Sequence, residues 1–315
     1  MRRMSDPTPL TLMTVHAHPD DETIGTGGTM AKAVADGRRV VLVTCTRGEM
    51  GEIVIPEMDT PDNHRRLGEL RAVELEEAMG ELGVTEWENL GYRDSDMMGR
   101  VGNLDPRTFW QADLDEAIGR LVWLVRRYRP QVMTTYNDFG GYGHPDHIRT
   151  HLVGVGAFDR AGDPAWYPEQ LTAEHGGTAP DDGGLEPWTP LKLYEQAIPA
   201  SVRTAMKDAV EALGDQSPWS EPKDATPEQL AEYEAAMARM LVPDETITTW
   251  VDVSDVLDRK WAAMLRHRTQ LATDQNMFVR FGVDAWRQWW SREAYILRSS
   301  RVESHLPEDD LFAGI

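Results

Sequence analysis

The sequence predicts an α/β protein, a three-layer sandwich in which a mostly parallel sheet lies between two layers of helices. Two observations support this prediction. Short apolar runs alternate with longer segments of helical period, and clusters of polar residues directly follow several of the short runs. Strands that alternate with helices favour parallel pairing through crossover connections. The chain has 315 residues, 41% of them hydrophobic, which is enough for a large buried core.

Four strands and four helices are predicted in the first half of the chain. The strands cover residues 10–15, 39–44, 87–90 and 131–135, and the helices cover residues 29–35, 63–82, 113–128 and 145–157. The second helix carries its leucines on one face and ends at Gly83, which predicts a glycine C-cap. The third helix has the same apolar period and stops before Pro130.

The second half of the chain has weaker patterns. Residues 160–190 are rich in Gly, Pro and Asp and predict a loop or a mobile flap, whereas residues 212–229 are polar and predict an exposed segment. Regular structure is predicted to resume at residues 191–196 and 246–253 and in a helix at 255–271. The apolar end of the chain, residues 311–315, predicts docking on the body of the protein.

The charge balance disfavours some classes of partner. Lys and Arg total 32 against 53 Asp and Glu, a formal net charge of −21. Nucleic acids and anionic membranes are bound through basic patches, so neither is an expected partner. No apolar run is long enough to cross a bilayer, and Asp6 and Pro7 interrupt any signal-type segment, so we expect a cytoplasmic protein. The single cysteine, Cys45, excludes an internal disulfide and fits a buried strand position better than a reactive thiol.

Two clusters of histidine and aspartate follow predicted strands. Residues 16–22 read His-Ala-His-Pro-Asp-Asp-Glu and come directly after the first strand. Residues 140–147 read Gly-Gly-Tyr-Gly-His-Pro-Asp-His and follow the fourth strand. In open parallel sheets, ligands bind at the carboxyl ends of the strands. Both clusters are therefore expected at the same edge of the sheet.

Together the clusters predict a metal site. A catalytic zinc usually takes three protein ligands and keeps one position for water. His18 and Asp21 lie three residues apart on a turn and can bind one ion together, and His147 supplies the third ligand from the second cluster. Asp20 is then a free carboxylate beside the metal, suited to take a proton from bound water.

Another arrangement of these side chains remains open. His144, His147 and His151 lie on roughly one face of the fourth helix and could bind a metal without the first cluster. That arrangement leaves Asp20 and Asp21 without a role and therefore ranks second. Otherwise His151 is expected to support the ligands from behind or to lie at the surface.

Tyr142 is a candidate for stabilising charge on the substrate. Its flanking glycines allow mobility and close approach to a ligand, and a tyrosine hydroxyl at the mouth of a site can donate to a developing oxyanion. An exposed loop aromatic without a role is the alternative. His16 is expected to pack at the strand end, and Glu22 to support the turn.

A non-catalytic sugar or nucleotide binder is the candidate function from a different class. Residues 25–28 read Gly-Thr-Gly-Gly after the first strand and superficially resemble a dinucleotide loop. The Gly-x-Gly-x-x-Gly spacing is missing, and metal-type residues occupy the turn. This function is a remote alternative.

The motifs at residues 17–22 and 140–147 resemble those of the LmbE-like (PIG-L) metal-dependent de-N-acetylases. Within this family the chain is most similar to the actinobacterial mycothiol enzymes. The further matching stretches are residues 43–49, 93–99, 109–113 and 309–315. The resemblance runs from near residue 10 to the last residue and is densest before residue 160.

The resemblance implies a Rossmann-like catalytic lobe over residues 9–160, which carries the metal site. A smaller C-terminal α+β part, residues 161–315, is implied to complete the same domain and the substrate pocket. The implied cofactor is Zn²⁺, with Fe²⁺ as the other candidate, held by His18, Asp21 and His147.

The resemblance also implies a role for the residues around the metal. Asp20 corresponds to the general base, and His144 corresponds to the acid that protonates the departing amine. Asp146 corresponds to the carboxylate that orients and tunes His144. Tyr142 corresponds to the mobile residue that polarises the carbonyl of the substrate.

The implied substrate is a small amino-sugar molecule. Arg66 and Asp94 fall at the positions that grip its glucosamine–inositol part, and residues 267–270 match a His-x-Thr-Gln motif near the site. The first candidate reaction is deacetylation of N-acetylglucosaminyl-inositol in mycothiol biosynthesis. The alternatives are cleavage of mycothiol S-conjugates by an amidase, which has a lysine where Gly25 stands here, and deacetylation of another amino sugar. Nothing in the sequence indicates an oligomeric state.

Overall fold

An eight-stranded sheet runs through the protein, with helices packed on both of its faces. The computed structural model describes residues 9–172, 184–214, 220–222, 225–271 and 279–315. The strands are β1 (Thr11–His16), β2 (Arg39–Thr46), β3 (Glu86–Tyr92), β4 (Val132–Thr135), β5 (Lys192–Pro199), β6 (Leu241–Val242), β7 (Thr249–Asp252) and β8 (Arg292–Ser300). The helices are α1 (Asp21–Gly25), α2 (Gly27–Ala35), α3 (Pro61–Arg65), α4 (Leu67–Leu82), α5 (Leu114–Tyr128), α6 (Pro145–Arg160), α7 (Ala200–Ala212), α8 (Pro227–Met240), α9 (Leu257–Met264) and α10 (Gly282–Trp289). The predicted α/β class with a mostly parallel sheet is confirmed.

The order of the strands creates a crevice at one edge of the sheet. Along the sheet the order is β3-β2-β1-β4-β5-β8-β7, with the short β6 beside β5. Strands β1 to β5 pair in parallel, and β8 and β7 continue the sheet in antiparallel fashion. From β1 the chain first builds outward through β2 and β3, and it then returns to the other side of β1 for β4. This switch point lies between the carboxyl ends of β1 and β4, where α/β sheets of this topology bind ligands.

The core has two parts, one on each face of the sheet. Alternate residues of a strand point to opposite faces, so Leu12 packs with α2, α4 and α9, whereas Met13 and Val15 pack with α5 and α6. All three side chains are completely buried. A strand buried on both faces is rigid, and β1 therefore holds the turn that follows it in a defined position.

The predicted elements of the first half are present, but the short helix α1 has no predicted counterpart and one predicted helix is divided. Gly83 ends α4 in the left-handed conformation, with φ 76°. The predicted helix at 63–82 is two helices, because Arg66 between α3 and α4 leaves the helical conformation (φ −115°, ψ 18°). Cys45 is completely buried in β2, and burial raises the pKa of its thiol to about 12, as expected of a structural cysteine.

The predicted helix at 255–271 is wrong at its C-terminal end. Helix α9 ends at Met264, and the rest of the segment forms turns. There the backbone N–H and the hydroxyl of Thr269 donate to the Glu74 carboxylate at 2.9 and 2.7 Å. These contacts to another helix replace the hydrogen bonds that a continued α9 would make.

Other parts of the second half were not predicted or cannot be compared in full. Helices α7, α8 and α10 and strands β6 and β8 have no counterpart among the predicted elements. Parts of the predicted loop at 160–190 and of the polar segment at 212–229 lie outside the described residues. The docking predicted for the end of the chain is confirmed, because Leu311 and Phe312 belong to the core. Among the described residues, no helix combines the length and apolar character that a membrane crossing requires.

A buried ion pair joins the C-terminal part of the chain to the first strand–helix unit. The side chains of Lys260 in α9 and Glu293 in β8 are completely buried, with Nζ and Oε1 2.7 Å apart. Glu293 also accepts the backbone N–H groups of Gly28 and Thr29 at 2.8 and 2.7 Å, at the N-terminus of α2. Lys260 also donates to the carbonyl of Ile24 at 2.8 Å. These additional hydrogen bonds offset the desolvation of the two charges.

We expect Glu293→Gln to lower the free energy of unfolding by about 3–5 kcal/mol, because Lys260 is left charged and buried without its counter-ion. Urea unfolding followed by circular dichroism measures the effect. The control is Glu81→Gln, which removes the partner of Arg266 at the surface and should change the stability far less, because water screens that pair.

Equal effects of the two substitutions would contradict this role of the buried pair. If Glu293→Gln does not fold, the double variant Lys260→Met/Glu293→Leu should recover the fold, because it removes both buried charges together.

Candidate metal centre and active site

Three ligand atoms, Nδ1 of His18, Oδ2 of Asp21 and Nε2 of His147, form a nearly equilateral triangle at the switch point. They come from two segments, called the first and the second loop below. The first loop is residues 17–21, which follow β1 and end at the start of α1, and the second loop is residues 137–147, which end in the first turn of α6. His18 Nδ1 lies 3.4 Å from Asp21 Oδ2, and His147 Nε2 lies 3.3 Å from each of the other two atoms. Both imidazoles are buried, and the Asp21 side chain is 15% exposed. The structure thus brings together the three residues that the sequence predicts as metal ligands.

The spacing of these atoms fits a tetrahedral metal ion. Ligand atoms about 2.0–2.1 Å from a tetrahedral ion lie about 3.3–3.4 Å from one another. Two imidazole nitrogens and one carboxylate oxygen form a donor set used by catalytic zinc and by ferrous iron, and three ligands leave a position for water. The residues present therefore fit a divalent metal of this kind.

The carboxylate of Asp146 holds His18 in place. Its Oδ2 lies 3.2 Å from His18 Nε2 and accepts the N–H of Ser95 at 2.9 Å, and its Oδ1 accepts the Ser95 hydroxyl. A carboxylate on the far nitrogen turns the other nitrogen of a histidine toward the metal. The prediction that the Asp146 carboxylate orients His144 is corrected accordingly. His144 is the N-cap of α6, and it is the backbone N–H of Asp146 that reaches its Nδ1, at 3.1 Å.

The pocket around the triangle favours positive charge. Burial disfavours protonated His18, but the carboxylates of Asp94, Asp146 and Asp21 outweigh burial and hold the pKa of His18 well above its ordinary value. Burial likewise disfavours ionised Asp21, but His147 and His18 hold the pKa of Asp21 well below its ordinary value. A metal ion bound at the triangle takes the place of the proton on His18.

Asp20 lies beside the triangle in a strained backbone conformation. Its φ of 114° lies in a region that residues with a side chain rarely adopt. Arg71 Nη2 lies 3.1 Å from Asp20 Oδ1, and the same guanidinium donates to the carbonyls of Pro19 and Gly48. Burial raises the pKa of Asp20 to about 6, with Arg71 opposing the shift and Asp21 adding to it. Asp20 is thus ionised at neutral pH yet able to accept a proton.

Residues from the C-terminal part support the turn that carries Asp20. Glu22 is completely buried, and its Oε2 accepts the N–H of Asp20 at 2.8 Å. Its Oε1 lies 2.7 Å from Nε2 of His267, which is also completely buried. The segment that matches the His-x-Thr-Gln motif, residues 267–270, therefore packs directly behind the site. Glu22 supports the turn, as predicted.

Arg71, Glu74 and Ser95 were not among the predicted site residues. Arg71 and Glu74 are charged residues on the buried face of α4, which otherwise consists mostly of apolar side chains. Two charged residues on a helix face that is otherwise apolar need buried partners. This pattern could have identified both as candidate site residues. Ser95 lies within the matching stretch 93–99, but nothing in the local pattern distinguishes it from its neighbours.

His144 lies next to both imidazole ligands. Its ring centre is 4.7 Å from that of His18 and 5.3 Å from that of His147. Because its Nδ1 accepts the N–H of Asp146, neutral His144 carries its proton on Nε2. Burial, and after it the nearby His18, lower the pKa of His144 to about 2. In this structure the imidazole is therefore neutral, and the proton for a leaving group has to be gained during the reaction.

Tyr142 lies at the entrance of the site. The residue is 43% exposed, but its hydroxyl lies 3.5 Å from His147 Nε2. Burial of the hydroxyl, and then the charges of Asp21 and Asp20, hold the pKa of Tyr142 well above its ordinary value, so it is a donor at neutral pH. At Gly140, with φ 65°, a Cβ would lie 2.6 Å from that of His147. The loop can approach the ligand this closely only with glycine at that position.

The two predicted substrate-binding residues differ in their placement. Asp94 is buried, and its Oδ1 lies 3.9 Å from His18 Nε2. The Asp94 carboxylate also accepts the N–H groups of Met50 and Asp96 at 3.2 and 2.8 Å. Arg66 is exposed at the junction of α3 and α4. The structure therefore brings Asp94 to the candidate metal centre and leaves Arg66 at the surface.

The alternative metal site made by the α6 histidines alone is not supported. Among the described residues, two groups have ligand atoms within 4.8 Å of one another. They are His18, His144 and His147, and His18, Asp94, His144 and Asp146, and both include His18 from the first cluster. His151 instead donates from Nδ1 to the carbonyl of Tyr136 at 2.8 Å. His16 is completely buried at the strand end, as predicted, and burial lowers its pKa to about 4.

The glycine-rich segment at 25–28 does not offer a phosphate site. A helix that binds phosphate presents free N–H groups at its N-terminus. Here the N–H groups of Gly28 and Thr29 donate to the Glu293 carboxylate. A Cβ at Gly28 would lie 2.6 Å from that of Val253, so glycine serves close packing at this position. These contacts disfavour the nucleotide-binding alternative.

The chain is similar over nearly its whole length to bacterial deacetylases. A model of the GlcNAc-PI de-N-acetylase (PIG-L) family matches residues 13–158. The 1D-myo-inositol 2-acetamido-2-deoxy-α-D-glucopyranoside deacetylase of Geodermatophilus obscurus is 42% identical over 311 residues, which are 96% of this chain and 97% of that protein. Deacetylase 1 of the same name from Frankia alni is 43% identical over 311 residues, 96% of this chain and 99% of that protein.

Solved structures share the fold at much lower identity. The N,N'-diacetylchitobiose deacetylase of Pyrococcus horikoshii matches with a TM-score of 0.56 and 19% identity over 91% of this chain and 83% of that chain. GalB, the 4-carboxy-2-hydroxymuconate hydratase of Pseudomonas putida, matches with a TM-score of 0.57 and 18% identity. The match covers 94% of this chain and 99% of that chain. A deacetylase and a hydratase thus share this fold, and the fold alone does not decide the reaction. The near-full-length sequence identity decides the family: the chain belongs to the PIG-L family of de-N-acetylases.

Proposed function

We propose that this protein uses a divalent metal ion to hydrolyse the N-acyl amide of a glucosamine-type sugar. Zn²⁺ is the first candidate for the ion, and Fe²⁺ is the second. The triangle of His18, Asp21 and His147, with the carboxylate of Asp20 beside it, is the observation that carries the proposal. The names of the relatives at 42% and 43% identity support N-acetylglucosaminyl-inositol as the substrate. The reaction is then a deacetylation in mycothiol biosynthesis.

His18, Asp21 and His147 are the residues that hold the ion. A divalent ion held there would supply a bound water of lowered pKa and a Lewis acid for the acyl carbonyl of the substrate. Asp20 takes the proton from the attacking water. Its pKa of about 6 suits this step, because the carboxylate is ionised at neutral pH and is still basic enough to accept a proton.

Tyr142 donates a hydrogen bond to the carbonyl oxygen as negative charge develops on it. The raised pKa of Tyr142 keeps its hydroxyl protonated, and its glycine-flanked loop lets the hydroxyl approach the substrate. The ring of Tyr142 is partly exposed, so the same residue borders the path by which the substrate enters.

His144 takes up a proton from solvent as negative charge develops on the reacting carbonyl and passes it to the departing amine, and Asp20 returns the proton of the attacking water to solvent. Negative charge on the reacting carbonyl raises the pKa of a neighbouring imidazole, and the Asp94 carboxylate already acts in that direction on His144. His144 is therefore neutral when the substrate binds and becomes an acid as water adds. Asp146 acts on a different residue, because its carboxylate orients His18.

Asp94 and Arg66 bind the sugar and inositol hydroxyls of a small amino-sugar substrate. The buried Asp94 carboxylate, close to His18, would accept hydrogen bonds from the sugar, and the exposed Arg66 would bind the more distant part of the substrate. A neutral polyol of this kind is compatible with a protein whose net charge is −21.

Removal of the metal by a chelator should abolish deacetylation, and Zn²⁺ or Fe²⁺ should restore it. Elemental analysis should find about one ion per chain. Asp21→Ala should lose the ion, because a ligand is missing, whereas His151→Asn should keep it. The opposite result, loss in His151→Asn and retention in Asp21→Ala, would favour the site made by the α6 histidines.

We expect Asp20→Asn to lower kcat by about 10²–10⁴-fold, because an amide cannot accept the proton of the attacking water. Its metal content should remain that of the wild type, since the ligands are intact. The matched control is Asp62→Asn at an exposed position of α3, which should leave kcat unchanged. Turnover of Asp20→Asn close to that of the wild type would refute the assignment of Asp20 as base.

A comparative assay with metal-loaded protein tests the substrate. The three compounds are N-acetylglucosaminyl-inositol, a mycothiol S-conjugate and N-acetylglucosamine. We expect the highest kcat/KM with the first compound. Preference for the S-conjugate would show an amidase instead, and equal rates with plain N-acetylglucosamine would point to a deacetylase of another amino sugar.

A further inference from the structure

Tyr136 joins the two loops that carry the metal ligands. It is the residue directly after β4, and it is 6% exposed. Its hydroxyl accepts the backbone N–H of Ala17, the residue before His18, at 3.1 Å. Its ring stacks on the imidazole of His147, with ring centres 4.3 Å apart and planes 26° apart. One side chain thus contacts the backbone of the first loop and a ligand on the second.

The two histidine ligands are supported in different ways. The far nitrogen of His18 lies on the Asp146 carboxylate. The far nitrogen of His147, Nδ1, is buried and has no hydrogen-bond partner among the residues that the structure describes. Histidine ligands ordinarily donate this N–H to a carboxylate or carbonyl, which sets the orientation of the ring. The orientation of His147 therefore depends on packing.

Two tyrosines pack against the ring of His147, and they differ in rigidity. Tyr142 makes an edge contact with ring centres 4.8 Å apart, but it lies in an exposed loop with left-handed glycines on both sides. Tyr136 stacks on the imidazole and is buried at the end of a strand. Of the two, Tyr136 is the one that can hold the ring at a constant angle.

The hydroxyl of Tyr136 also interacts with the last residue of β1. It lies 3.3 Å from Nδ1 of the buried His16. Of the three candidate ligands, His147 thus contacts the ring of Tyr136, and His18 directly follows the Ala17 backbone that the hydroxyl holds.

We propose that Tyr136 is a positioning residue for the metal centre, which holds His147 against the turn that carries His18 and Asp21. The inference rests on the metal site of the proposed function. The stacked ring of Tyr136 does for His147 what the Asp146 carboxylate does for His18, and the hydroxyl keeps the two loops at the distance that the ligand triangle requires.

Two substitutions separate the ring from the hydroxyl. Tyr136→Phe keeps the stack on His147 and removes the hydrogen bond to Ala17, whereas Tyr136→Leu removes both. Loss of a group that orients metal ligands weakens metal binding about 10–100-fold. We expect the Kd for Zn²⁺ to rise about tenfold in Tyr136→Phe and up to about 100-fold in Tyr136→Leu.

The experiment measures the Kd for Zn²⁺ of the metal-free full-length protein by competition with a chromophoric chelator. Thermal denaturation of the same samples gives the temperature at which each variant unfolds. The Kd is measured below that temperature, where the variant is folded. The control is Tyr128→Phe, because Tyr128 is 7% exposed and its hydroxyl donates to Glu88, which is not part of the site. The visible spectrum of the Co²⁺-loaded protein reports the coordination geometry independently.

A graded rise of Kd in the two Tyr136 variants, with Tyr128→Phe unchanged, supports the proposal. Folded Tyr136 variants with the Kd and the Co²⁺ spectrum of the wild type would overturn it. An equal loss of Zn²⁺ affinity in Tyr128→Phe would also overturn it, because the effect would then be a general one of removing a buried hydroxyl. If Tyr136→Leu does not fold, the Kd and spectrum of Tyr136→Phe decide. A wild-type protein that binds no metal refutes the metal site itself, and with it this role of Tyr136.

Discussion

The parallel pairing of β1 with β4 is the interaction on which the candidate site depends. Leu12 and Thr14 of β1 lie in register with Val132 and Thr134 of β4, so both strands end at the same edge of the sheet. From there the chain crosses to β2 on one side and, after β4, to β5 on the other, which opens a crevice between the two connections. Two short loops can therefore place ligand atoms 3.3 Å apart although they are separated by 129 positions in the chain.

Such a site buries several carboxylates, and each has to be paired if the fold is to be stable. Asp146 is paired by His18 and Ser95, within the first half of the chain. Glu22 and Glu74 instead take hydrogen bonds from the segment at 267–270. The C-terminal part thus satisfies buried charges on α1 and α4, and one of them, Glu22, is bound to the backbone of Asp20. This dependence supports the proposal that residues 161–315 complete the same domain as the lobe at 9–160.

Most strands and helices of the first half could be predicted, because β1 and β2 are continuous apolar runs and the long helices have an apolar period. The second half was less predictable, because its elements have less apolar surface to bury: α8 has no buried residue and α7 has three. The end of α9 could not be predicted from its own residues, since Glu74 of a distant helix binds Thr269 there. In the same way, the metal ligands could be predicted because their residue types follow the ends of strands. Arg71 could not be singled out, because it lies among the apolar residues of the buried face of α4.

The sequence by itself determined the α/β class, the two clusters at strand ends, the residue types that a metal needs and the family that these motifs resemble. Only the tertiary structure decided which partner each polar group takes. The Asp146 carboxylate orients His18, Arg71 lies next to Asp20, and Tyr136 lies between the two loops. The reason is physical. The spacing of ligands within a turn follows from the local backbone, but a buried carboxylate or ring takes its partners from whatever side chains the packing of distant segments brings within contact distance.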